Sequence, residues 1–233
     1  MTASLKRFTP LQLLIHLGAW FPIARLLVEA FTHNLSANPI QHIEQRTGRA
    51  AITLLFLSLA ATPLHSLFGW KEPLQRRRAL GLYAFMYAAI HVVIFADLDY
   101  GLAWSQIVET VLQKPYILVG ALAFLMLIPL AATSFDVWKV RLKKNWKRLH
   151  KTIYAIAPLV VLHYAWGKKG NFFALQGDIL LPLIYGVVFL LLMLLRIPAL
   201  RRFIASARAR WRVPFTKRGA ATEGASHDRW ADT

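Results

Sequence analysis

Six long apolar blocks, at about residues 10 to 31, 49 to 68, 79 to 97, 115 to 135, 150 to 167 and 179 to 197, dominate this sequence. Each approaches the roughly 20 residues that an α-helix needs to span the hydrocarbon of a bilayer. Strands of a membrane barrel are shorter and alternate apolar with polar residues, and these blocks do neither. The expected fold is therefore all-α: a polytopic membrane protein with a six-transmembrane-helix bundle over residues 1–200 and a basic tail over 201–233. Composition agrees, since 57% of the residues are hydrophobic and the mean hydropathy is +0.44, more than one soluble core accommodates.

The net charge of +17 does not point to nucleic acid, because the basic residues fall between the apolar blocks. Lys6 and Arg7, Lys71 with Arg76 to Arg78, Lys139 through Lys151, and Arg196 to Arg218 all lie on one side of a six-crossing path. The other side has only Arg46, Arg49, Lys114, Lys168 and Lys169. By the positive-inside rule both termini are cytoplasmic and the sparse loops face outward. The first block carries His16, Pro22, Arg25 and Glu29 without a small-residue cleavage site, so it reads as a retained helix. The basic stretch from Arg201 to Arg218, with interleaved apolar residues, suits the anionic lipid of the inner leaflet, and the last dozen residues read as disordered. With no cysteine, any metal must be held by His, Met, Tyr or carboxylate.

The polar residues inside the blocks carry the functional reading. His91 lies within the third block, and an ionisable residue there must face the bundle interior and find a partner. The fifth block has His150 near the basic side and His163 near the other, at about the depth of His91. Their thirteen-residue separation is roughly 20 Å along a helix and turns them about 140° apart, with Pro158 between them to bend the path. Two histidines at matched depth on neighbouring helices, His91 and His163, can clamp one haem iron. Arg25 and Glu29 at i,i+4 are either a snorkelling pair or place Arg25 to neutralise a haem propionate. Arg76, Arg77 and Arg78, in the loop before the third block, either anchor topology or bind a flavin phosphate with Lys147 nearby. His16 and His65 read as interface histidines or alternative ligands. Asp97, Asp99 and Glu109 make the next outer loop acidic.

Several stretches together resemble the haem-binding membrane subunit family of the bacterial periplasmic methionine sulfoxide reductase system, MsrQ. They are Asn38-Pro39, Thr47-Gly48-Arg49, Thr62-Pro63-Leu64, Arg77 through Tyr83 leading to His91, Lys114-Pro115-Tyr116, and Trp146 through His150 to His163-Tyr164-Ala165-Trp166. That family resembles a reduced ferric reductase transmembrane domain, in which histidines on helices three and five hold b haem. The resemblance implies haem b and FMN as cofactors, a bacterial inner-membrane location, and electrons from the quinone pool or a cytoplasmic flavin reductase. It also implies a partner, a periplasmic molybdopterin-dependent subunit that reduces methionine sulfoxide in oxidised proteins. Metal-binding positions are then expected at His91, His163 and His150, and other cofactor contacts at Arg25, Arg77 and Arg78. Opposite His150 the sequence offers Arg77 and Arg78 instead of a second histidine.

Two other classes fit the same pattern. One is a transporter whose intramembrane histidines relay protons, although no convincing internal repeat is present. The other is a stand-alone ferric or cupric reductase of the same fold. No Walker motif, nucleophile elbow or Gly-rich nucleotide fingerprint occurs, so electrons come from another polypeptide or from the lipid phase.

Overall fold

The computed structural model describes residues 9–168, 170–171, 176–204 and 206. Its helices are α1 (Pro10–Phe31), α2 (Pro39–Phe68), α3 (Glu72–Ile94), α4 (Trp104–Gln113), α5 (Pro115–Ala132), α6 (Asp136–Leu142), α7 (Lys144–Lys151), α8 (Ile153–Trp166) and α9 (Leu180–Leu194). Between α8 and α9, β1 (Gly170–Asn171) and β2 (Gln176–Gly177) form a two-residue antiparallel ladder. Otherwise the described fold is all-helical, as the apolar blocks require.

Proline sets several of the boundaries. Thr9 accepts a hydrogen bond from the Gln12 amide at 3.2 Å ahead of Pro10, and Asn38 accepts one from the Gln41 amide at 3.2 Å ahead of Pro39. Proline fits such a first turn because its missing N–H would have had no helical partner. The cap at Asn38 carries α2 into the interval between the first two apolar blocks: it begins ten residues before the apolar onset at 49, in a polar stretch containing His42, Glu44 and Arg46. Likewise α3 begins at Glu72 with Pro73 in its first turn, so Arg76, Arg77 and Arg78 ride on a helix and not in a loop. Gly69 closes α2 in the left-handed region, at φ 71°.

Four segments are long and apolar enough to cross a membrane: Pro10–Phe31, Pro39–Phe68, Glu72–Asp99 and Pro115–Ala132. A fifth arises if α9 and the short helix Pro198–Ile204, bent by 81°, count as one span. The fifth apolar block is divided at Thr152 into α7 and α8, and each piece alone is too short. The interruption is six residues ahead of Pro158, which α8 accommodates in its interior; at the break the Thr152 hydroxyl donates to the Leu149 carbonyl at 2.7 Å. Helix α4 lies in what reads from the sequence as an acidic loop, and α3 runs into a π-helical turn at Phe95–Asp99. The chain is thus a multi-pass membrane protein whose α6, α7 and start of α3 form one basic end.

Leu13, Leu14, Leu17, Phe21, Leu122, Leu125, Leu190 and Leu191 are exposed on the outside of the bundle, a distribution suited to lipid and not to water. The interior is built chiefly from the hairpin of α2 on α3 and from α5 on α8. Tyr87, Ile156, Ile52, Leu59 and Thr47 are fully buried there. Tyr87 also ties α1 to this core, its hydroxyl donating to the Ala19 carbonyl three residues before Pro22. Asp136 on α6 receives hydrogen bonds from Lys139 at 2.7 Å and Arg78 at 3.1 Å, which hold its carboxyl below the ordinary value of 3.8. Any stability this tie contributes is present above the ordinary carboxylate range and fades as pH falls through the depressed value.

Replacing Tyr87 tests the core directly. Tyr87→Phe, which removes only the bond to Ala19, is expected to cost about 1 kcal/mol. Tyr87→Ala, which also opens a cavity, is expected to cost about 3–5 kcal/mol. Reversible unfolding in mixed micelles measures both.

Candidate functional site

At the end of the bundle away from α6 and α7, His91 of α3 faces His163 of α8 with ring centroids 6.2 Å apart and planes at 78°. Each ring is held by the same device. The Nδ1 of His91 donates to the Glu44 carbonyl at 3.0 Å, and the Nδ1 of His163 donates to the Tyr116 carbonyl at 2.7 Å. A carbonyl only accepts, so each Nδ1 carries the proton and each Nε2 keeps a lone pair. Neither Nε2 is bonded to a described residue. This is the arrangement of a metal-binding histidine whose second nitrogen is fixed by the backbone.

Glycine makes the close approach possible at His163 and leaves added room for it at His91. Gly48 lies one helical turn after Glu44 and Gly120 one turn after Tyr116. A Cβ built at Gly120 would lie 2.5 Å from His163 Nδ1, and one at Gly48 would lie 3.4 Å from His91 Nδ1. The missing side chain therefore opens the path to the carbonyl four residues earlier. Tyr116 stacks on His163 at 6.2 Å and 28°, which limits the ring's rotation.

The spacing suits a shared metal. Two imidazoles on opposite sides of one ion, with metal–nitrogen distances of about 2.0 Å and about 1.1 Å from nitrogen to ring centre, have centroids about 6.2 Å apart. Among the described residues no group of three or more His, Cys, Asp or Glu is poised around a bare ion. A donor set of two neutral imidazoles fits a metal whose remaining positions are filled by a macrocycle, as in a bis-histidine haem.

The other expected positions are elsewhere. His150 belongs to the basic end, where its ring stacks on Trp146 with centroids 4.1 Å apart. Its Nε2 is 3.0 Å from the Thr133 hydroxyl, which itself donates to the Pro129 carbonyl at 2.6 Å, so His150 is the donor of that pair. Trp146 adds a bond from its indole N–H to the Thr133 carbonyl at 2.8 Å. Arg25 forms the expected pair with Glu29 at 2.8 Å; Glu29 is also held by Arg46 at 3.0 Å and His42 at 3.1 Å. Arg77 and Arg78 diverge, because adjacent helical residues point about 100° apart. Arg78 reaches Asp136, whereas Arg77 reaches the Thr62 hydroxyl at 3.4 Å. Arg76 and Arg78 line a small pocket of about 230 Å³ with Gln12, His16 and Gln75. His16 bonds the Tyr83 hydroxyl at 2.7 Å, as an interface histidine does. The structure thus brings His91 and His163 together, while His150, Arg77 and Arg78 belong to the basic end and Arg25 is engaged by Glu29.

Gly48, Gly120, Glu44 and Tyr116 escape a reading based on titratable residues, since two act through a carbonyl and two through an absent side chain. Gly120→Ala is expected to force His163 or α5 to shift and to cost about 1–3 kcal/mol, with Gly48→Ala the milder of the two. Thermal unfolding of the detergent-solubilised variants reads the difference.

Comparison with known proteins places the chain in a family. The family model for the ferric reductase like transmembrane component matches residues 47–162, an interval that contains His91 and ends one residue before His163. A protein-methionine-sulfoxide reductase heme-binding subunit MsrQ from Xanthomonas axonopodis pv. citri (strain 306) is 45% identical over 164 residues, covering 68% of this chain and 75% of the relative. One of the same name from Herminiimonas arsenicoxydans is 37% identical over 192 residues, covering 82% and 86% respectively. No solved structure matches the chain. Identity at this level across three quarters or more of each relative means that the chain belongs to the MsrQ family of heme-binding subunits.

Proposed function

We propose that the chain is the membrane electron-transfer subunit of a protein-methionine-sulfoxide reductase system, in which His91 and His163 would hold a b-type haem. The observation that carries this is the pair of imidazole rings 6.2 Å apart between centres, each with Nδ1 bonded to a backbone carbonyl and Nε2 free of any described residue. The relatives named as heme-binding subunits of the reductase supply the system. Held by two neutral histidines, a b haem supplies a low-spin, one-electron centre suited to transfer and not to oxygen chemistry. The residues around it fix both rings before the group arrives: Glu44 and Tyr116 set the tautomers, and Gly48 and Gly120 admit the rings to the helix faces.

In this reading the chain crosses a bacterial inner membrane six times with both termini cytoplasmic. Helices α7 and α8 together make the fifth crossing and α9 makes the sixth. The positive-inside distribution supports that orientation. The basic end is where electrons would enter from the quinone pool or a cytoplasmic flavin reductase, and FMN held there would supply the electron-transferring group. Electrons leave at the opposite end to a periplasmic molybdopterin-dependent reductase subunit. The basic residues Arg77 and Arg78 are proposed to serve the flavin, and Arg25 a haem propionate. His150 is either a ligand at the basic end or a group that orients the flavin, and His150→Ala separates the two by whether haem or FMN is lost.

His91→Ala and His163→Ala are each expected to abolish or convert the low-spin absorption spectrum of the purified protein. An unchanged spectrum in both would remove the assignment. Direction is tested by reconstituting the chain in vesicles with a reductant trapped inside and the periplasmic reductase outside. Methionine sulfoxide reduction is expected, with loss in His91→Ala; equal activity in vesicles lacking the chain would refute the role.

A further inference from the structure

Two arginines from distant parts of the sequence meet α2 one turn apart at the basic end. Arg77 of α3 donates to the Thr62 hydroxyl at 3.4 Å, and Arg196, two residues beyond α9, donates to the Leu59 carbonyl at 2.5 Å. Leu59 and Thr62 are three residues apart, so they share a face of α2. The guanidinium of Arg196 also bonds the Tyr154 hydroxyl of α8 and lies 4.8 Å over its ring, which fixes its plane. The two cations lie close enough for the charge of Arg77 to act on Arg196, and also on His150.

Among the described residues nothing of opposite charge answers them. The ion pairs among the described residues use Glu29, Asp136 and Asp178, and none includes Arg77 or Arg196. Glu72, on the same end of α3, bonds neither arginine. The Nε of Arg196 is buried without a partner, as is Nδ1 of His65, one turn beyond Thr62 on α2. Two guanidinium groups bonded to α2 one helical turn apart, at the edge of a low-dielectric bundle, repel each other, and leaving buried donors unpaired adds a further cost. A bound oxyanion relieves both, since a phosphate accepts several N–H bonds at once and guanidinium forks match its oxygens.

We propose that Arg77 and Arg196 form a binding site for a phosphate ester at the basic end of the bundle. The ester is a flavin mononucleotide or an anionic phospholipid headgroup, which offer the same oxygens. The flavin arm rests on the electron-entry reading above and deepens it by adding Arg196 to the arginines named there. The lipid arm is independent of it. Neither needs the His91–His163 pair, so haem content and phosphate binding are read separately.

The experiment uses the full chain, purified in mild detergent and washed free of lipid, titrated with FMN and separately with phosphatidylglycerol under native mass spectrometry. One of the two is expected to bind with one equivalent, and the Arg77→Gln, Arg196→Gln double variant to bind it at least about tenfold more weakly. Arg77→Lys and Arg196→Lys keep the charge but lose the fork, and are expected to fall between; they carry the test if the double variant does not fold. FMN uptake assigns the site to the flavin and phosphatidylglycerol uptake assigns it to lipid. Binding by the variants as tight as wild type, or no binding of either probe by the wild type, overturns the proposal. A missing haem spectrum with intact phosphate binding would count against the proposed function alone.

Discussion

Two hydrogen bonds from imidazole Nδ1 to helix carbonyls set the geometry on which the candidate site depends. A helix carbonyl normally accepts from the amide four residues later, and a side chain at that later position shields it from a neighbouring helix. At Glu44 and Tyr116 the later residue is glycine, so the carbonyl takes a second bond from a histidine. That bond fixes the tautomer, the ring orientation and the depth of the ring together. The repetition of the device on α2 with α3, and on α5 with α8, makes the two rings equivalent in protonation and able to face one centre.

Charge within the bundle follows a different rule at each end. Away from α6 and α7, Glu29 gathers Arg25, Arg46 and His42 into a compensated cluster. At the basic end, Arg78 is neutralised by Asp136, but among the described residues Arg77 and Arg196 are met by hydroxyls, a carbonyl and an aromatic face. A membrane protein tolerates unpaired cations at its rim more readily than within its core, because long side chains can place their charges toward the interface. Arg196 departs from that habit, with its Nε buried among α2 and α8.

Much of this was legible in the sequence because bilayer crossing imposes a length and a composition on every helix. The depth of His91 and His163 could be counted from the block boundaries, and their pairing followed. The boundaries were less accurate where helices extend past the apolar run, since α2 starts under a polar cap at Asn38 and α3 carries its arginines inside the first turns. Helix α4 had a readable signal that a count of loop charges hides: Trp104, Ile107, Val108, Val111 and Leu112 recur at helical spacing. The role of Gly120 had no such signal. Its importance lies in the distance to a ring on another helix, and a single chain of letters does not hold that distance. The same limit applies to Arg196, whose partners Leu59 and Tyr154 are 137 and 42 residues away.

The strongest packing in the bundle is within two hairpin-like pairs, α2 with α3 and α5 with α8, while contacts of α3 with α5 and of α2 with α8 are sparser. Each pair contributes one histidine and the carbonyl that orients it. Each half can therefore complete its own share of the site while inserting into the membrane, before the halves meet. The seam between them runs through the two facing rings, so whatever bridges the rings also fastens the halves. In the proposed reading, a group held by both rings would join two modules that each carry their own ligand and its orienting carbonyl.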